Sequence, residues 1–158
     1  MSMLEFLWMY TLIFLLSAIP LLEAVIVIPF AIFAGMPAVQ VTIVALIGNL
    51  VTVYFIIIFI EQIKKWRKNK KPSKKSTENR RSQRAERIWK KYGLPGLAII
   101  GPLIVGSHIT ALMSLTFGGT KRGVTYWLTF SLIGWCVLAA ILAHLGFDLF
   151  NTRDRELF

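Results

Sequence analysis

One cysteine, two histidines and eight acidic residues leave this chain of 158 residues poor in the groups from which most catalytic and metal sites are built. The lone Cys136 excludes an intramolecular disulfide and a CxxC metal knuckle, and its place inside an apolar run reads as a small buried hydrophobe. Without a cluster of histidine, cysteine and carboxylate ligands, neither a metal nor a cofactor is expected. Ser107 and His108 are the only nucleophile and base that stand close in sequence. Neighbours on a helix do not face each other, so the chain is not expected to be an enzyme. Polar surface is scarce too: 56% of residues are hydrophobic and the mean hydropathy is +0.64. That is too little polar surface to cover a soluble domain of this size.

The apolar residues come in blocks. Residues 39–60 contain only Gln40, Thr42, Asn49 and Thr52 as clearly polar groups, and residues 124–145 form a second long run. At about 1.5 Å per residue each run crosses a bilayer core of roughly 30 Å. Residues 4–19 form a shorter apolar stretch. Glu5 stands where a signal peptide would be basic, and Pro20 to Glu23 do not make a small-residue cleavage site, so a retained N-terminal helix is expected.

Charge is as unevenly spread. Of 18 Lys and Arg residues, 14 fall between Lys64 and Lys91, against Glu78 and Glu86 in the same stretch. The positive-inside rule keeps such a loop, residues 64–92, in the cytoplasm. The span 39–60 then runs inward, 124–145 runs outward, and the tail 146–158 lies outside. Pro72, Ser73, Ser76 and Thr77 among lysines make 70–79 a disordered segment. Beyond it, Arg80, Arg81, Arg84, Arg87 and Lys91 share one face of an amphipathic helix, with Ile88, Trp89 and Tyr92 approaching the bilayer. The net charge of +10 resides in this loop, so the lipid bilayer and not nucleic acid is the expected partner.

Two segments are too interrupted to be plain spans. Residues 20–37 hold Pro20, Glu23, Pro29 and Pro37; residues 94–119 hold Pro102, Gly106, Ser107, His108 and Thr110. Overlaid from Pro20 and Pro102, both read as a proline, two aliphatic residues, a polar or small break and an apolar stretch ending in Gly35 or Gly118. Irregular backbone at membrane depth survives only inside protein or against a watery cavity, and paired broken segments point to a transport site. The expected fold is an all-α integral membrane protein of two inverted repeats. Each repeat is a re-entrant segment followed by a transmembrane helix, and the basic loop joins them.

Glu23 is the leading functional candidate. A carboxylate at that depth pairs, lines water or stays protonated, which suits a proton carrier; the other reading places it near the outer interface, solvating a turn. His108 either caps a half-helix or contacts a proton or phosphate. Half-helix N-termini favour anions, so Gly106, Ser107, His108 and Thr110 are candidates for a phosphate headgroup, with Asn49 leaning toward the same cavity. Gly48 and Asn49 equally suit close helix packing. Gly134 and Cys136 are read as packing residues, and His144 as interfacial.

The run from Pro20 through Glu23 to Pro29, the Gly48-Asn49 pair, the segment Lys91 to Leu97 and the stretch 102–118 together resemble the bacterial small multidrug export protein family, itself related to the DedA or VTT-domain superfamily. The resemblance covers most of the chain outside the basic loop. It implies two opposed re-entrant segments, and relatives in the superfamily are associated with moving lipids across bilayers, including a polyprenyl phosphate carrier, and with proton-coupled homeostasis. The family pattern implies an arginine two residues after the glutamate, where this chain has Val25; either His108 or Lys121 takes over that role or the chain handles a different substrate, and Lys121 and Arg122 are the candidate phosphate contacts. The expected activity is thus transport or scrambling of an amphipathic, phosphate-bearing lipid with Glu23 cycling a proton. Efflux of small cations and a non-transporting scaffold are the alternatives. Few spans in a short chain predict a homodimer in the cell membrane.

Overall fold

The computed structural model describes residues 3–20, 22–69 and 80–156, and every regular element among them is helical. In chain order these are α1 (Met3–Ala18), α2 (Ala24–Phe33), α3 (Ala38–Asn69), α4 (Arg80–Ile104), α5 (Ser107–Thr116) and α6 (Lys121–Glu156). The expectation of disorder for 70–79 falls outside the described residues.

Two helices are long and apolar enough to cross a membrane. Ala38–Ile60 of α3 has a mean hydropathy of 2.7 and Lys121–Gly146 of α6 one of 2.0, yet only 33% and 28% of their apolar windows are buried. Val39, Ile43, Ile47, Val51 and Phe55 on α3 are exposed, as are Tyr126, Phe130, Val137 and Ile141 on α6. A core helix of a soluble protein hides such surface, whereas here it stands free to meet lipid. The all-helical membrane class expected from composition is the class these helices make. With 16 residues, α1 is about 24 Å long, shorter than the core of a bilayer.

The chain contains one helix–turn–helix unit twice. α2 and α5 are ten residues each, and each leads through a glycine turn into a long helix. Every landmark recurs 83 residues later: Ala24 and Ser107 open the short helices, Gly35 and Gly118 take positive φ (86° and 104°), and Ala38 and Lys121 open the long ones. The hydrogen bonds recur as well. Met36 N–H donates to the Ala31 carbonyl at 3.1 Å, and Gly119 N–H to Ser114 at 2.9 Å. This is the six-to-one bond of a Schellman turn, in which glycine takes the left-handed position without a Cβ penalty. Val41 N–H to Pro37 and Val124 N–H to Thr120 then start the long helices alike, at 3.1 and 2.9 Å. An overlay on Pro20 and Pro102 is therefore one residue out of step. Pro20 stands in the turn between α1 and α2, but Pro102 lies inside α4.

The breaks are not where the prolines are. α2 continues through Pro29, which costs the helix one backbone hydrogen bond without ending it. α4 likewise runs through Gly101 and Pro102. Its interruptions are at Gly93 (φ 67°, ψ −158°), after which Pro95 sits in the first turn of a new helical arm, and at Gly106 (φ 99°). The Gly101 carbonyl accepts from both Val105 N–H and Gly106 N–H, at 2.9 and 3.1 Å, and closes the end of α4.

The fold divides into two compact units, Met1–Val51 with Ile133–Phe158, and Thr52–Leu132. In the first, Ile13 of α1, Ile28 and Ile32 of α2, Val41 and Ala45 of α3 and Cys136 of α6 form one buried cluster. α1 approaches α3 closely: a Cβ on Gly48 would lie 2.5 Å from the Phe14 carbonyl oxygen, and the Tyr10 hydroxyl donates to Gln40 Oε1. In the second unit, Ala85, Leu97 and Val105 are buried with Ile88, Trp89 and Phe117 against them. The Trp89 and Phe117 rings stand 5.6 Å apart. Ile88 and Trp89 are thus partly covered by their own unit, where the turn at Gly93 lets the amphipathic arm pack against α4 and α5. Arg84, Arg87, Lys90 and Lys91 remain exposed on that arm.

Gly48 behaves as the packing glycine that its sequence context suggested, and Gly134 does not. Nothing lies within 4 Å of a Cβ built on Gly134. Gly48→Ala is expected to destabilise the protein by about 1–3 kcal/mol through overpacking against backbone, whereas Gly134→Ala gains up to about 1 kcal/mol of helix propensity. Thermal unfolding of both variants in one detergent checks this; equal effects would remove the close α1–α3 approach.

Candidate functional site

Glu23 occupies the residue immediately before α2. Its backbone carbonyl accepts from Ile26 and Val27 N–H at 3.0 and 3.1 Å, so it starts the helix. The residue is only 6% exposed. Ala24, Val27 and Ile28 beside it belong to the apolar cluster that also holds Cys136. A carboxylate at a helix N-terminus gains from the helix dipole. Asn49, fully buried, lies in the same unit. Pro20 is exposed in the turn and Pro29 partly buried.

The second constellation is at the start of α5. His108 is 4% exposed and Ser107 is fully buried. The ring bridges two hydroxyls: Nε2 stands 2.8 Å from Thr52 Oγ1 of α3, and Nδ1 stands 3.2 Å from Ser107 Oγ. Gly106, the residue before α5, has no side chain with which to cap it, and His108 links α5 to α3. The adjacent Ser107 and His108 do meet, contrary to the rule for helix neighbours. Nδ1 is the ring nitrogen nearer the backbone, and the short serine side chain reaches it at the first turn.

Thr110 Oγ1 donates to the Gly106 carbonyl at 2.7 Å. A Cβ on Gly101 would meet that same hydroxyl at 2.4 Å, so glycine is what lets α4 and α5 approach. Pro102 is buried in α4 beside it. Lys121 and Arg122, the candidate phosphate contacts, are exposed at the start of α6, whereas Ser107, His108 and Thr110 are buried. Two further bonds cross between helices of this unit: Tyr54 with Thr129 at 2.6 Å, and Ser131 Oγ to the Ile99 carbonyl at 3.4 Å.

Thr52, Tyr54, Thr129 and Ser131 were missed as site residues. Their signal was weak: single hydroxyls inside apolar runs, with partners up to 75 residues away. No group of three His, Cys, Asp or Glu residues able to hold a metal occurs among the described residues.

The 83-residue register sets the two short helices against each other. Glu23 corresponds to Gly106, Ala24 to Ser107, Val25 to His108, Val27 to Thr110 and Ala31 to Ser114. The first copy carries one carboxylate on an apolar helix; the second carries an imidazole and hydroxyls and no acid. His108 thus stands in the repeat position of Val25.

Helical repeats of this kind, with polar groups buried at the starts of short helices and two apolar helices of spanning length, define a polytopic membrane protein. The chain belongs to the small multi-drug export protein family, whose sequence model matches residues 23–138, from Glu23 through most of α6. No match to the chain was found among curated proteins or among solved structures.

The Thr52–His108 bond is open to a double-mutant cycle. Hydrogen bonds between membrane helices couple by about 0.6 kcal/mol on average and up to about 1.7. His108→Phe and Thr52→Val are expected to destabilise singly and to couple within that range; strictly additive losses in unfolding stability would show that the pair does not act as a unit.

Proposed function

We propose that the protein is a proton-linked transporter in which Glu23 carries the proton and an amphipathic, phosphate-bearing lipid, such as a polyprenyl phosphate or a phospholipid, is the substrate. The burial of Glu23 at the start of a short helix is the observation that carries this reading. A carboxylate maintained in apolar surroundings costs several kcal/mol and is retained for function more often than for stability. The phosphate part rests on the start of α5, where Ser107 and His108 lie beside the helix-terminal backbone amides and the helix itself carries no acidic residue. Both constellations are closed in the described conformation, so the transport cycle opens them in turn.

In this reading the two repeats are inverted in the membrane, and α2 and α5 are re-entrant from opposite faces, as DedA-like transporters are. The basic segment 64–92 is cytoplasmic by the positive-inside rule, the membrane is the cell membrane, and two protomers complete the wall of the pathway. Proton-coupled export of small cationic compounds is the second reading. The family's name favours it, and so does a carboxylate as the buried charge.

Reconstitution in liposomes separates the readings. Wild-type protein is expected to exchange a fluorescent phospholipid or polyprenyl phosphate between leaflets, faster under a pH gradient, and Glu23→Gln to abolish exchange while retaining its thermal stability. Exchange by Glu23→Gln at the wild-type rate would remove the proton role. Well-folded wild type that moves no lipid but expels a cationic dye would establish the second reading.

A further inference from the structure

We propose that the basic arm of α4 and the first turn of α6 form one composite site for the phosphate headgroup of an anionic lipid, and that a headgroup bound there clamps the end of α5. The inference does not depend on what the protein moves.

Two contacts bring the cations together. The Trp89 and Phe117 rings stand 5.6 Å apart, and a Cβ on Gly123 would lie 3.2 Å from Leu94 Cδ2. Lys90 and Lys91 fall between Trp89 and Leu94, and Lys121 and Arg122 between Phe117 and Gly123. Two basic pairs, distant in sequence, thus sit on segments packed against each other, and all four residues are exposed. Arg84, Arg87 and Lys91, at positions i, i+3 and i+7, continue the patch along one exposed face of the arm.

Acid is scarce against these charges. Lys90 pairs with Glu86 at 2.7 Å, yet the unit Thr52–Leu132 carries 16 Lys and Arg residues against three acids, Glu61, Glu78 and Glu86. However those three pair, they neutralise only a small part of the unit's charge. The remainder repels itself until anions arrive from outside the chain.

What covers the patch follows from its level. The apolar span of α6 begins at Lys121, so Lys121 and Arg122 stand where the bilayer core gives way to the headgroup layer. The two contacts fix residues 89–94 at the same level. Tyr92 and Tyr126 are exposed there, as tyrosines at a membrane interface are. A helix that binds a membrane by insertion keeps its apolar face for the acyl chains. Here Ala85 is fully buried with Leu97 and Val105, and Ile88 and Trp89 pack on the same cluster. With that face turned to protein, the basic face is what meets the membrane, and anionic headgroups are its electrostatic match.

α5 ends between the two halves of the patch. Phe117 directly follows its last residue and packs on Trp89, and α6 starts at Lys121. One phosphate can accept from several cations at once, and arginine offers it a two-pronged donor. Bridging Lys91 to Arg122, it would tie the arm to α6 and so hold the helix that carries Ser107 and His108.

The test uses purified protein in nanodiscs of phosphatidylcholine, with or without phosphatidylglycerol, followed by thermal unfolding and hydrogen exchange. Phosphatidylglycerol is expected to raise the unfolding temperature and to slow exchange severalfold in residues 84–92 and 107–123. Lys91→Gln and Arg122→Gln should each remove most of this gain, and the double variant no more than either alone, because the two residues share one headgroup. Both are exposed, so the variants are expected to fold. Lys70→Gln with Lys71→Gln removes two charges from the loop and should leave the gain intact. An equal loss in that control would overturn the proposal as diffuse attraction of a basic loop, and additive losses from Lys91→Gln and Arg122→Gln would overturn the shared site. Protection by inorganic phosphate in phosphatidylcholine alone would replace the lipid with a soluble anion. A wild type indifferent to phosphatidylglycerol would overturn the lipid site in favour of an acidic protein partner.

Discussion

The architecture depends on reversing a short apolar helix into a long one without stranding backbone amides where no water can satisfy them. Two glycines solve this, because only a residue free to take positive φ lets the next N–H reach back to the carbonyl five positions earlier. Once Gly35 and Gly118 close the C-terminal ends of α2 and α5 in this way, the unmet polar demand moves to the other ends. There the chain places Glu23 in one copy and Ser107 with His108 in the other. The functional candidates are where they are because the turn chemistry settles everything else.

Much of this was legible in the sequence, and for physical reasons. Blocks of apolar residues gave the two spans because length and hydropathy alone decide them. The terminal glycines of the interrupted segments gave the repeat. The prolines misled. Helix ends follow the carbonyls and amides that need partners, and a proline well inside a helix loses only one bond, so Pro29 and Pro102 are absorbed while Gly93 and Gly106 turn the chain. Of the site, the buried status of Glu23, Asn49, Ser107 and His108 was readable from polar groups in apolar runs. The Thr52–His108 bond was not, since no local pattern links residues 56 apart. Gly48 and Gly134 look alike in sequence, and only their neighbours distinguish them.

The two copies share geometry but not chemistry. Identical turns preserve the path of the backbone, while the positions facing inward have been free to differ: acid against glycine, valine against histidine, alanine against serine. A protein built this way keeps one mechanical unit in two places and can assign charge to one and hydrogen bonding to the other.

The separation of Thr52 from His108 has a bearing on biogenesis. Ribosomes add about 5–20 residues per second, so the 56 residues that separate the two take several seconds to emerge, and the Thr52 hydroxyl enters the bilayer well before its imidazole partner exists. Until then the contacts open to α3 are those with α1 and α2: Gly48 against the Phe14 carbonyl, Tyr10 on Gln40, and Val41 and Ala45 with Ile28 and Ile32. The N-terminal helix, too short to cross a bilayer upright, is thus the partner that the first span meets before the second half of the chain is made.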